Sequence, residues 1–293
     1  MKEHHLFAAS PTRRYATRLI DGDLSIELTP GEERDFEPDV AVFPFGSRVF
    51  LTHIATRPPG AQLDAAIRLI DRGYRPVPHL AARNFASAAD YAQQVERLSS
   101  AGVEEALFIG GNPAAPRGPF QAAAELLAHP VLSRNTLRTA WLAGYPEGHP
   151  SLTADQLKDA LEQKLAICRE RGLSPCVVSQ FGFHGAVIAR WAREFVSTHP
   201  DIPLRLGFAG VTSPPKLIGY ALRCGIGPSI ALLRKTPRTL FGLVAEHDPG
   251  DLVEAVEQTG LRAHAPAELH FFTFGGWRKT LDWIAARRAN GNG

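Results

Sequence analysis

Eight short apolar runs alternate with stretches of helical period along a chain of 293 residues, and few folds accommodate that rhythm. The runs are Leu24 to Leu28, Val49 to Ala55, Pro76 to Ala82, Ala106 into the loop Gly110-Gly111-Asn112-Pro113, Thr139 to Ala143, Cys176 to Phe183, Leu204 to Gly210 and Leu269 to Phe274. Between them, Gln62 to Asp71 repeats apolar residues at Leu63, Ala66, Ile67 and Ile70. Ser87 opens a second helix with Tyr91, Val95 and Leu98 on one side and Gly102 beyond its end. Further helices are predicted at Phe120 to Leu127, from Thr153 to Gly172, at 185–198, from Lys216 to Arg223, through roughly 228–260, and from Trp277 to Arg288. Thr153-Ala154-Asp155-Gln156 has capping-box spacing. Only the link between the first two strands is short for a crossover, so the first helix is expected to be reduced or missing. The α/β pattern predicts a single (β/α)8 TIM barrel over 1–293, with a short extended N-terminal segment and a frayed tail. A doubly wound open sheet is the alternative, but Gly110-Gly111-Asn112 does not make the dinucleotide fingerprint such sheets carry.

Composition narrows the function classes. With 44% hydrophobic and 21% charged residues the chain can bury a sizeable core, and a net charge of +2 offers no footprint for nucleic acid. No run approaches the roughly 18 uncharged apolar residues of a membrane span. Cys168, Cys176 and Cys224 are odd in number and lack a CxxC pair, which suits reduced thiols. A soluble cytoplasmic protein is expected, with self-association into a homo-oligomer left open.

A barrel would deliver Glu27, Thr52, His79, Asn112, Tyr145, His149 and Gln180 to one mouth, at the carboxyl ends of its strands. A carboxylate inside an apolar strand is costly unless paired or protonated, so Glu27 is either a proton donor or the partner of a barrel arginine such as Arg205. Two amides able to donate and accept together suit the edge of a heterocyclic ring. The set holds no Ser/His/Asp triad, no metal-ligand spacing and no phosphate loop, which favours redox or one-carbon chemistry over hydrolysis. Competing readings stand beside each residue. His79 donates to a carbonyl within the barrel, Gln180 is a polar core residue, and Asn112-Pro113 is a plain turn. His149 is solvated in a crossover whose glycine and prolines only set dihedrals, and Lys164 snorkels to solvent.

The ordered motifs resemble those of the catalytic domain of the 5,10-methylenetetrahydrofolate reductase family, from about Leu24 to Trp277. Ala143-Gly144-Tyr145-Pro146-Glu147-Gly148-His149-Pro150 resembles the family's Tyr-Pro-x-x-His-Pro turn, and Ser179-Gln180-Phe181-Gly182-Phe183 its Thr-Gln-Phe-Phe-Phe. Pro78-His79-Leu80, Ser25-Ile26-Glu27 and His270-Phe271-Phe272-Thr273 add weaker agreement in the same order. The resemblance implies a barrel that binds FAD at the strand ends and uses NADH or NADPH to interconvert 5,10-methylene- and 5-methyltetrahydrofolate. It would make Glu27 the general acid that opens the imidazolidine ring, and Gln180, with Asn112, a binder of the tetrahydrofolate derivative. Thr52, His79, Gly111, Asn112, Tyr145, His149 and Lys164 would contact the flavin or its phosphates. Three departures bear on this. The family's Gly-Asp pair is Gly111-Asn112 here, its Phe-Phe-Pro-Pro-Arg is Leu28-Thr29-Pro30-Gly31-Glu32, and an aromatic expected near the nicotinamide is replaced in Thr212-Ser213-Pro214-Pro215. A flavin-free reductase or a folate-dependent methyltransferase on the same barrel are therefore alternatives.

Overall fold

The computed structural model describes residues 18–54, 57–58, 60–113, 115–134, 137–223, 246–261 and 267–290. Eight parallel strands close into a barrel in sequence order: β1 (Leu24–Leu28), β2 (Arg48–Leu51), β3 (Arg75–Ala81), β4 (Glu105–Ile109), β5 (Thr139–Gly144), β6 (Ser174–Ser179), β7 (Leu204–Ala209) and β8 (Ala267–Phe272). The helices are α1 (Ala61–Asp71), α2 (Ala88–Ser100), α3 (Ala123–Ala128), α4 (Ala154–Arg171), α5 (Gly185–Thr198), α6 (Pro214–Arg223), α7 (Gly250–Glu257) and α8 (Trp277–Ala289). The expected (β/α)8 architecture is present. The extended N-terminal segment at 1–17, Cys224, most of the helix expected over 228–260, and the tail at 291–293 lie outside the described residues.

Strands covered on both faces read as continuous apolar runs, and period two then sorts them. Leu24, Ile26 and Leu28 belong to the large core between barrel and helices. Phe50, Val77, Leu107, Trp141, Cys176 and Val178 form a separate cluster inside the barrel. Below that cluster lies a charged floor. Glu105, 3% exposed, accepts from Arg48 Nε (2.7 Å) and from Trp141 Nε1 (2.7 Å). Arg205 pairs with Glu268 and donates to the Leu269 carbonyl (3.3 Å). The indole of Trp141 lies between the Arg48 and Arg205 guanidinium groups, 5.5 and 5.8 Å from the ring centre. Arg205 thus has a carboxylate partner, but that partner is Glu268 and not Glu27.

As the spacing predicts, no α-helix joins β1 to β2. A single 3₁₀ turn, Glu32–Asp35, is followed by a loop whose Phe36 and Phe43 are buried. Their rings meet edge-on at 5.8 Å, and Phe36 also packs on Tyr74 and Trp277. Two phenylalanines cover the apolar flank that a helix would otherwise cover. Buried Glu33 fastens the turn to α1 through Arg68 (2.7 Å). Elsewhere local signals agree with the fold: the Thr153 and Gln156 side chains cap α4 reciprocally, and Gly172 ends it at φ 67°.

β2 and β6 stop four residues earlier than the apolar runs suggest, at Leu51 and Ser179, while β4 ends at Ile109, ahead of its glycine loop as expected; Thr52, Asn112 and Gln180 therefore stand on loops directly above the sheet. The segment around Phe120 holds only the six-residue α3, with Phe120 buried ahead of it.

Glu105→Ala leaves Arg48 without its carboxylate and the buried Trp141 N–H without an acceptor. Removing one partner of such a network costs about 3 kcal/mol. Urea unfolding should show the midpoint lowered accordingly with the slope unchanged, whereas Glu105→Gln should recover part of the loss.

Candidate functional site

At the carboxyl end of the barrel the sheet presents Glu27 from β1 and His79 from β3. The β1–β8 register sets Glu27 opposite Phe272, and the Glu27 carbonyl accepts from Thr273 Oγ1 (2.6 Å). Its carboxyl keeps 13% of its side-chain surface open and lies 3.4 Å from His79 Nε2. The approach is too poorly aligned for a hydrogen bond, so the buried Nε2 has no partner among the described residues. Thr52 Oγ1 is likewise buried without a partner among them. The donation to a barrel carbonyl expected of His79 is not made from this nitrogen. Two orphaned polar atoms at neighbouring strand ends are the kind of exception that a ligand or ordered water resolves.

Burial, reinforced by the nearby Glu32 carboxylate, raises the Glu27 pKa to about 8. Burial, with a smaller contribution from His53, lowers that of His79 to about 3. The result near neutrality is a protonated carboxyl beside an uncharged imidazole. Gln62, at the start of α1, holds the two strand ends together: its Nε2 donates to the carbonyls of Leu51 (3.1 Å), Thr52 (3.4 Å) and His79 (3.2 Å). In the sequence Gln62 was only the first residue of a predicted helix; its reach over the sheet edge carries no local sequence signal.

The β5 turn brings Tyr145 and His149 together, with ring centres 5.4 Å apart and planes nearly perpendicular. His149 Nδ1 accepts from the Ser151 amide (3.2 Å), and burial together with Arg83 lowers its pKa. Gln180 continues the ladder by donating its amide to the Gly144 carbonyl (2.8 Å), and its Oε1 accepts from the Phe181 amide (3.0 Å). That leaves the side-chain NH₂ to donate elsewhere. Gly111 turns through φ 89° beneath exposed Asn112. Lys164 stands ten positions after the first residue of α4, about 15 Å along the helix. It is buried rather than snorkelling, and that burial lowers its amine to about 8.

Two features of the mouth escaped sequence reading. One wall is aromatic: Phe181, Phe183, Phe272, Phe274 and Tyr220 cluster there, with Phe181 5.2 Å from both Phe272 and Phe274. Phe274 sits at φ 49°, the one positive-φ residue other than glycine among the described residues, a costly conformation for an aromatic. The opposite side is cationic. Arg83 donates to the carbonyls of Gln121 (2.9 Å) and Pro113 (3.4 Å), and its own carbonyl accepts from the Arg117 amide (3.0 Å). Burial chiefly lowers the pKa of His53, as it does that of His149, and the charges of Arg117 and Arg83 respectively add to it. The two described cavities of about 100 Å³ lie elsewhere, on the barrel's flank against α8. Among the described residues no cluster of three metal-ligating side chains occurs, and no helix is long and apolar enough to cross a membrane.

The Glu27 and His79 shifts oppose each other in their effect on stability. Glu27, raised from 4.5 to about 8, favours the folded state fully below pH 4.5, and that contribution is lost as pH rises through 8. His79, lowered from 6.5 to about 3, contributes above pH 6.5 and loses that contribution as pH falls towards 3. From pH 6.5 to 8 only Glu27 titrates. Over that window the wild-type Tm should fall by about 2–4 °C relative to Glu27→Gln, followed by differential scanning calorimetry.

No family model matches the sequence. Comparison with solved structures finds an uncharacterized protein from Clostridium thermocellum that binds two copies of 5-methyl-5,6,7,8-tetrahydrofolic acid. It has a TM-score of 0.59 and 8% identity over 92% of this chain and 95% of that one. A GH18 chitinase from Pseudoalteromonas aurantia is also similar, with a TM-score of 0.53 and 9% identity over 92% of this chain and 99% of that one. At such identities the likeness is one of fold, and it is the barrel that these proteins share with this chain.

Proposed function

We propose that the mouth binds a reduced folate and that the protein interconverts 5,10-methylene- and 5-methyltetrahydrofolate, with NADH or NADPH as hydride source. The observation that carries the reading is the protonated Glu27 beside neutral His79 at the base of a mouth walled by aromatic rings. A carboxyl with a pKa of about 8 holds its proton at neutral pH and can still release it. Further support comes from the ordered motifs and from a fold neighbour that itself binds 5-methyltetrahydrofolate.

In this reading the pteridine stacks against the aromatic wall, its edge meeting the free NH₂ of Gln180. Glu27 delivers its proton to N10 as the N10–methylene bond breaks, which leaves an iminium at N5 to take up hydride. The acidic tail of a folate would lie along the Arg83 and Arg117 side. His79 remains uncharged, so it does not pull the Glu27 pKa down, and the carboxyl keeps its proton.

The orphaned Thr52 Oγ1 and His79 Nε2, and the paired rings of Tyr145 and His149 on the β5 turn, fit the polar edge of a flavin ring. Those residues, with Gly111 and Asn112, would hold FAD, whose chemistry when bound is to carry hydride between nicotinamide and folate. Lys164 would reach such a group only through a part extending over α4. Asn112 in place of a carboxylate leaves flavin-free transfer and methyl transfer as the competing readings.

The test is turnover of methylenetetrahydrofolate with NADH or NADPH, with and without added FAD, alongside calorimetric titration with 5-methyltetrahydrofolate. Oxidation of nicotinamide coupled to folate reduction is the expected result; binding without nicotinamide oxidation points to methyl transfer, and no binding at all rejects the reading. Glu27→Gln should lower folate reduction by about 10²–10⁴-fold while any reduction of FAD by NADH persists. In the wild type kcat/KM should decline above pH 8, as the acid loses its proton.

A further inference from the structure

We propose that Glu147 is a positioning residue that locks the turn bearing Tyr145 and His149 to the turn bearing Gln180, so that these groups form one rigid edge of the mouth. Three contacts converge on a single carboxylate oxygen. Glu147 Oε1 accepts from the amides of Phe183 (2.6 Å) and His184 (2.7 Å) and lies 3.2 Å from His184 Nδ1. Its side chain is 8% exposed, so these contacts are shielded from competing water. They join residues 36 and 37 positions apart, across the junction of β5 and β6.

The amides it accepts from belong to the entry into α5, which begins at Gly185. His184, in the N-cap position, supplies no side-chain cap. A carboxylate brought from the preceding crossover satisfies those donors and complements the positive end of the helix. Gly182 is what admits it: a Cβ at that position would stand 2.5 Å from Glu147 Oε1. In the motif that this stretch resembles, a phenylalanine stands at the position of Gly182, so the lock accompanies one of this chain's departures from the pattern. On the other side, the Gln180 amide is bonded to Gly144, immediately before Tyr145, and Phe183 packs in the aromatic wall. The backbone bond from Gln180 to Gly144 fixes one end of the segment Gln180–His184 to the β5 turn, and Glu147 fixes the other. A slot that must hold a flat ring at a fixed height gains affinity from such preorganisation, because the loops lose less freedom on binding.

The lock itself stands on geometry; its consequence for affinity rests on the folate reading above, and the experiment separates the two. Amide hydrogen exchange is measured on the ligand-free protein for wild type, Glu147→Ala, Gly182→Ala and Glu147→Gln, and 5-methyltetrahydrofolate is then titrated calorimetrically into each. Exchange at Phe183 and His184 should quicken about tenfold or more in Glu147→Ala and Gly182→Ala, with amides of β1 to β4 unaffected. The Kd for 5-methyltetrahydrofolate should rise about tenfold in the same two variants, while Glu147→Gln, which keeps an acceptor oxygen, stays within about threefold of wild type. Unchanged exchange at Phe183 and His184 in Glu147→Ala, or in Gly182→Ala should the first variant not fold, overturns the lock. Quickened exchange with an unaltered Kd overturns the positioning role. A wild type that does not bind the folate rejects the functional reading, and the exchange data still decide the lock.

Discussion

Closure of the barrel between β8 and β1 is the constraint on which the rest depends, because it fixes the depth at which every inward side chain lies. Ser25 falls opposite His270 and Glu27 opposite Phe272. Once that register is set, the interior divides into a charged floor, a mostly apolar middle that also holds the hydrogen-bonded Ser25–His270 pair, and a titratable mouth. The middle, Phe50, Val77, Leu107, Trp141, Cys176 and Val178, is what keeps the floor's cations away from Glu27. Arg48 and Arg205 spend their charge on Glu105 and Glu268, and neither is among the causes of the Glu27 shift. An acid one layer above two arginines would ordinarily be ionised by them. Here it is stranded on the far side of a dry layer, and the absence of a counter-charge keeps its proton in place.

This layering explains which parts of the molecule were legible from sequence. The alternation of eight apolar runs with helical segments specified the architecture because a parallel barrel strand, buried on both faces, has to be apolar nearly throughout. The missing first helix was legible for a simpler reason: too few residues separate β1 from β2. Strand ends were not legible. The apolar run through Phe181 and Phe183 continues past β6 because the mouth itself has an aromatic wall, so hydrophobicity does not fall where hydrogen bonding stops. Depth was not legible either. Arg205 was legible as a barrel arginine in need of a carboxylate, but nothing local distinguishes a floor position from a mouth position, and its carboxylate proved to be Glu268. Glu147 and Gln62 act on residues 10 or more positions away, contacts that exist only after the crossovers have folded.

The same architecture gives the mouth two unlike sides. Loops after β6 and β8, with α6, contribute rings, one of them on the strained backbone of Phe274. Loops after β3 and β4 contribute Arg83 and Arg117, whose charge bears on His149 and His53. A ligand that is flat and uncharged at one end and anionic at the other complements such a mouth, and this complementarity is independent of the motif resemblance.

Polarity within the mouth also bears on the direction of proton movement. Deprotonation of Glu27 leaves a buried anion with no hydrogen-bond donor already in place, because His79 is itself held neutral and poorly aligned. The anion is therefore unfavourable unless a positive charge develops next to it. In the proposed reaction an iminium at N5 would be such a charge, formed as the proton leaves. A permanently cationic partner would stabilise the carboxylate before any ligand arrived and place that interaction in the ground state. With His79 neutral, the attraction would arise only as the ring opens, where it would lower the barrier instead of the resting energy.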